Sequence, residues 1–256
     1  MRESVIQHVR VNNPLIHNIT NEVVMNFTAN GLLAFGGSPI MAKAKEEAEQ
    51  MASISDGVLI NIGTTTLQEL PAMKLAGRAA NKTGIPVVLD PVGVGATSFR
   101  KDVVKELLKE IQFTAIKGNA GEMAQLVDIP WKVKGVESVG AGNAEEIAVK
   151  VAETYRTTAV VTGEIDFIGK DGNVLKNTSG HPWLEKITGA GCLLGSILTA
   201  CLTAEEAAEE KAYAAVQFYG LAAEYAVKQN HVSGPGSFLP AFIDALSLDL
   251  EQLGMN

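Results

Sequence analysis

Short apolar runs with no polar alternation constrain the fold most. They lie at residues 57–62, 86–89, 114–116 and 158–161. A strand with one wet face alternates apolar and polar residues, whereas a strand covered on both faces reads as an unbroken Val/Ile/Leu run. Stretches with helical spacing separate these runs: 22–33, ending near Gly36-Gly37, then 46–54, 67–82, and the series Val103, Val104, Leu107, Leu108, Ile111. Strand and helix in alternation predict an α/β chain whose mostly parallel sheet is covered by helices on both faces. Right-handed crossovers then bring the strand C-termini to one rim, which is where ligands of open α/β sheets bind.

The punctuation agrees with this plan. Residues 15–19 form a short apolar run before Thr20, a candidate helix cap. Asn143 with Glu146 has the form of a relaxed capping box opening a helix to Tyr155. Asp171-Gly172, between 165–170 and 173–175, signals a hairpin. Thr203 with Glu206 caps a long helix, and Ser237 starts the last one. Internal repeats, low-complexity tracts and Ser/Pro linkers are absent, so a single domain spanning 1–256 is expected.

Charge and cysteine usage exclude several classes. The formal net charge of -8 repels a phosphate backbone, so no nucleic-acid partner is expected. No apolar segment is long enough to cross a bilayer, and the charged start Met1-Arg2-Glu3-Ser4 lacks a leader pattern, so the expected location is cytoplasmic, with no membrane partner. The two cysteines make no disulfide framework; on one helix, Cys192 and Cys201 would be separated by roughly 13 Å of rise. His17, His181 and His231 lack metal spacing. His17, beside Asn18, fits a hydrogen bond to loop backbone. Alanines 212, 214, 215, 222 and 223 fit a packing face.

The polar residues at the expected rim are Gly63, Asp90, Lys117 with Asn119 and Glu122, and Thr162. Asp90-Pro91 follows 86–89 directly, which suits a ligand-facing acid as well as a turn acid. Glu122 fits both an acid answering a helix dipole and an oxygen donor to Mg²⁺, which keeps several waters and needs only one or two carboxylates beside phosphate. Thr162-Gly163 fits a turn as well as a nucleotide contact. The stretch Thr188-Gly189-Ala190-Gly191-Cys192 precedes an apolar run. There the free first amides of a helix would make an anion site, with the Cys192 thiol beside it.

The Gly189-Ala190-Gly191-Cys192 stretch resembles the anion hole of ribokinase-like small-molecule kinases, which usually carry aspartate where this chain has Cys192. Cysteine there, together with Asn13-Pro14-Leu15-Ile16-His17-Asn18-Ile19-Thr20-Asn21, resembles the hydroxyethylthiazole kinases of thiamin salvage over nearly the whole chain. The resemblance implies a ribokinase-like three-layer fold. It also implies ATP-dependent phosphorylation of the primary hydroxyl of 4-methyl-5-(2-hydroxyethyl)thiazole, with hydroxymethylpyrimidine kinase or another small-alcohol kinase of that fold as the alternative. ATP is then the co-substrate and Mg²⁺ the cofactor. Asp90 and Glu122, the latter in an Asn119-x-x-Glu122 motif, would serve the metal, through water. Gly189, Ala190 and Gly191 would form the anion hole, and Cys192 would be catalytic. Met41, Asn21, Gly63 and Gly189 would contact the thiazole alcohol; Lys117 and Thr162 would contact ATP. Family members often carry Arg at the position of Lys117, so the charge is kept and the bidentate fork is lost. The family forms a homotrimer with sites between subunits. A thiol at a helix N-terminus is expected to release its proton more readily, which would let Cys192 act as a modest base.

Overall fold

The computed structural model describes residues 2–130 and 141–254. The chain opens with α1 (Arg2–Asn12), β1 (Leu15–Ile19), α2 (Met25–Phe35), β2 (Ser38–Ile40), α3 (Lys45–Ile54) and β3 (Gly57–Asn61). Next come α4 (Leu70–Thr83), β4 (Val87–Asp90), α5 (Ser98–Glu110), β5 (Ala115–Asn119) and α6 (Ala120–Leu126). After these stand α7 (Ala141–Tyr155), β6 (Thr158–Thr162), β7 (Asp166–Lys170) and β8 (Asn173–Asn177). Helices α8 (Ala190–Cys201), α9 (Ala208–Val227) and α10 (Pro235–Leu246) complete the order.

The strands make one sheet in the order β2-β1-β3-β4-β5-β6-β7-β8. Strands β1 to β6 pair in parallel, and β7 and β8 add an antiparallel hairpin. The apolar runs are buried on both faces, as their lack of alternation predicts. One core lies under α1, α2, α8, α9 and α10; the other lies under α3, α4, α5, α6 and α7. The hairpin turn is the one read from Asp171-Gly172, whose φ values of 48° and 80° suit a mirror-image turn.

Two features of the sheet position the site. The chain leaves β1 through α2 on one face and leaves β3 through α4 on the other, so β1 and β3 flank a topological switch point. Helix α8 packs across the same place, against β1, β3 and β4. It is apolar nearly all round, with Leu193, Ile197, Leu198 and Ala200 buried, and burying such Leu and Ile side chains is worth about 1.5–3 kcal/mol each. At the far edge, β2 is only three residues long, with Pro39 at its centre. Ser38 N bonds inward to Pro14 O at 2.9 Å, so the position without an N–H, Pro39, faces outward.

Several local expectations are corrected. Helix α1 was not expected; Val5, Ile6 and Val9 bury it against the core. The stretch 22–33 divides into a short 3-10 helix, Glu22–Val24, and α2, which Gly36 ends at a φ of 118°. Thr20 does not cap it: its hydroxyl is buried without a partner, and the N-cap residue Asn21 makes no cap bond because its amide turns elsewhere. Helix α4 begins at Leu70, after the Glu69 carboxylate has taken the amide of Thr66 at 2.9 Å. Helix α7 begins at Ala141, so Asn143 sits inside its first turn; the Asn143 side chain lies outside the described residues.

The late helices also start elsewhere than read. Thr203 and Glu206 do not cap α9: the Thr203 hydroxyl donates to Ala200 O at 2.7 Å, closing the end of α8, and Glu206 accepts from Ser4. Helix α10 begins at Pro235, and Ser237, two residues on, accepts the amides of Ser233 and Gly234. Among the described residues no helix is long and apolar enough to cross a membrane.

Candidate active site

Parallel register sets Asn61, the last residue of β3, beside Asp90, the last residue of β4. Asn61 Nδ2 donates to Asp90 Oδ2 at 2.8 Å. From the next strand, Lys117 Nζ donates to the same oxygen at 3.2 Å and to Gly191 O of α8 at 2.9 Å. From the loop after β1, Asn21 Nδ2 donates to Asn61 Oδ1 at 3.2 Å and to Cys192 Sγ at 3.1 Å. Gly63 N donates to Asn61 Oδ1 at 2.9 Å. Two strand ends, the middle of β5, two loops and one helix start thus share a polar seam in which Asn21, Asn61, Asp90 and Lys117 are all buried.

Burial sets the charges of this seam. It pushes the Asp90 carboxyl up to about 6; Glu122 adds to the rise, while Lys117 and Asn61 oppose it. Burial works against the Lys117 ammonium, but Asp90, Cys192 and Glu122 outweigh it and hold its pKa above the ordinary lysine value. At neutral pH the two form a buried ion pair, and removing one partner would strand the other. Asp90 Oδ1 is buried and has no hydrogen-bond partner among the described residues.

The start of α8 is an open nest of amides. Gly189 caps it at a φ of 92°, with Val24 Cγ1 packed 2.4 Å from where a Cβ would stand, so only glycine fits. Leu193 N makes the first helical bond, to Gly189 O at 2.9 Å. The amides of Ala190, Gly191 and Cys192 therefore have no partner within the helix. Tyr219 of α9 braces the nest by donating its hydroxyl to Ala190 O at 2.7 Å.

The expected easy ionisation of Cys192 is corrected. Burial, joined by Asp90, pushes its thiol above the ordinary cysteine range, against Lys117, Asn61 and Asn21. This direction is opposite to the one expected of a thiol at a helix N-terminus and favours the protonated form. Both cysteines are free, as their spacing requires.

Glu122 fills the structural role and keeps the other open. It closes a capping box with Asn119, each accepting the other's amide at 2.9 Å, and its second oxygen accepts Gly93 N at 2.8 Å. It thereby ties the loop after Asp90 to α6. No cluster of three or more His, Cys, Asp or Glu able to hold a metal occurs among the described residues. A hard cation that keeps its water, such as Mg²⁺, fits this donor set: one buried carboxylate oxygen without a partner, and a second carboxylate across the loop.

The remaining sequence-derived residues are less tightly joined. Thr162 ends β6 opposite Asn119. Its neighbour Gly163 donates to Asp166 Oδ1 at 3.1 Å; burial pushes the Asp166 carboxyl up to about 6, against Asn177, Gly163 and Lys117. Met41 follows edge strand β2, three strands from β4, and takes no part in the hydrogen-bonded seam. Beside it, His17 Nε2 donates to Ala42 O at 2.9 Å, the backbone role read for that histidine. Sequence reasoning missed Asn61. The signal was present: a carboxamide closing an apolar run, one strand over from Asp90.

The chain matches the model of the hydroxyethylthiazole kinase family over residues 6–251. It is 58% identical over 247 residues to hydroxyethylthiazole kinase 1 of Oceanobacillus iheyensis, covering 96% of each chain. It resembles the solved hydroxyethylthiazole kinase of Pyrococcus horikoshii at 38% identity and a TM-score of 0.87, over 96% of this chain and 92% of that one. A ribokinase-like superfamily protein from Enterococcus faecalis, 13% identical with a TM-score of 0.66 over 96% and 94% of the two chains, shares the fold.

Proposed function

The chain belongs to the hydroxyethylthiazole kinase family, and on that premise we propose how its rim moves a phosphoryl group. The enzyme is a phosphotransferase that phosphorylates the alcohol of hydroxyethylthiazole in thiamin salvage, with ATP as co-substrate. One observation carries the assignment of the site: the amide nest of α8, the Lys117 ammonium and the partnerless oxygen of Asp90 belong to one hydrogen-bonded seam.

Phosphoryl transfer asks mainly for alignment and for stabilisation of charge on the transferring oxygens. The amides of Ala190, Gly191 and Cys192 receive that charge, because nothing within the helix satisfies them. Lys117, anchored to Gly191 O, adds a positive charge at the base of the same nest. Asp90 through Oδ1, and Glu122 through water, would hold Mg²⁺. Such an ion would offset the negative charge of the phosphate groups held there. Asp90 is ionised at neutral pH and ready for that role.

On the acceptor side, Asn21, Gly63 and Gly189 border the nest and are read as the thiazole pocket. Met41 stands away from the seam, just after edge strand β2. That position suits a pocket completed by a neighbouring subunit of a homotrimer. Thr162, at the end of β6, faces the nucleotide side. Cys192 shapes the pocket: its sulfur accepts the Asn21 amide at 3.1 Å, and burial favours its protonated form. The cytoplasm, where ATP is plentiful, is the compartment that suits this activity. Incubation with Mg-ATP and hydroxyethylthiazole should yield the phosphate ester by mass spectrometry. Ester from hydroxymethylpyrimidine but none from the thiazole alcohol would overturn the assignment.

A further inference from the structure

Asn61 joins the acceptor side of the rim to its carboxylate side. A carboxamide offers two lone pairs and two N–H groups. In Asn61 three of the four are engaged. Oδ1 accepts Asn21 Nδ2 at 3.2 Å and Gly63 N at 2.9 Å. Nδ2 donates to Asp90 Oδ2 at 2.8 Å. The residue is 1% exposed, so bulk water has little access to these three bonds.

We infer that Asn61 is a positioning residue that couples the thiazole pocket to the carboxylate that meets the divalent ion. The inference rests on the site assignment given under Proposed function. On one side Asn61 fixes the rotamer of Asn21 and the turn at Gly63. On the other it joins Lys117 in holding Asp90 Oδ2, which leaves Oδ1 as the oxygen without a hydrogen-bond partner among the described residues. No other side chain of this size fits the pattern. Aspartate lacks the donor and would set a like charge against Asp90. Leucine would strand the Gly63 amide. Serine supplies only one donor.

The test reads two quantities in Asn61→Ala and Asn61→Ser. The first is the affinity for hydroxyethylthiazole, measured by calorimetry on protein free of nucleotide and metal. The second is the Mg²⁺ concentration for half-maximal turnover at saturating ATP. Orienting partners of ligating groups typically change affinity or activity by about 10–100-fold, so Asn61→Ala should move both readouts about tenfold and Asn61→Ser should move both by less. Asn21→Ala should move the first alone. Asp90→Asn should move the second alone; if it leaves the Mg²⁺ requirement unchanged, the metal assignment of Asp90 has failed, while the acceptor readout of Asn61 still judges the coupling. A folded Asn61 variant that shifts only one readout, or neither, overturns the inference. Where Asn61→Ala does not fold, the serine variant decides, and failure of both to fold makes Asn61 merely structural and overturns the inference too.

Discussion

The two ends of helix α8 carry the same side chain in opposite settings. Cys192 stands in its first turn, half-buried, hydrogen-bonded to Asn21 and facing the ion pair of Asp90 and Lys117. Cys201 closes the helix inside an apolar core with no exposed surface, and burial alone pushes its thiol far above the ordinary range. Both thiols are pushed toward the protonated form, for different reasons. At Cys201 the cause is loss of water; at Cys192 it is loss of water plus a neighbouring carboxylate. The same helix therefore serves charge at one end and packing at the other. What decides between them is which strand ends lie opposite.

The contrast breaks most sharply at Asp90. Asp90→Asn should lower kcat/KM by at least about 100-fold in a coupled ATPase assay, since a bound cation supplies several kcal/mol of charge stabilisation. Next comes the shape of the nest. Gly189→Ala forces a side chain into a φ of 92° and onto Val24. It should lower kcat by about 100-fold, as loss of oxyanion donors does, and cost about 1–3 kcal/mol in denaturant unfolding.

A thiolate base would be worth about 100-fold or more, whereas a neutral thiol that shapes the pocket is worth little. Cys192→Ala should therefore lower kcat by less than about tenfold, and Cys192→Asp should keep or raise it. The pKa directions give a sharper contrast between the two ends. The Asp90 carboxylate, ionised above about 6, raises the Cys192 thiol, so removing that charge lowers it. At pH 8, Asp90→Asn should speed iodoacetamide labelling of Cys192, because the thiolate is the nucleophile, and leave Cys201 unlabelled. Mass mapping of the labelled peptides would show this. The smallest effect is at the packed end: Cys201→Ala should keep full turnover and cost about 1 kcal/mol of stability, read from urea unfolding.

Most of the layer plan was legible because unbroken Val/Ile/Leu runs and glycine- or Asp-Gly-bearing turns act locally. The helix starts at Thr203 and Asn143 were misread because a capping pattern does not say whether its side chains are engaged elsewhere, as Glu206 is by Ser4. In the site, Asp90, Glu122 and the 189–192 nest stand out as polar or glycine-bearing breaks after apolar runs. The raised pKa of Cys192 was not legible. It comes first from burial and then from Asp90, which lies about a hundred residues away in sequence and reaches the helix only through strand order. Asn61 was hidden for the same reason, since its partners Asn21 and Asp90 come from segments far from it in sequence.

Pro39 has a further consequence for how copies of this chain can meet. An exposed strand border with free amides invites another chain to extend the ladder, and a proline whose missing donor points outward removes that invitation. On the β2 side, a second molecule cannot dock by continuing the backbone ladder. Self-association there must be read from side-chain complementarity, and uncontrolled fibrillar stacking through that border is discouraged from the outset.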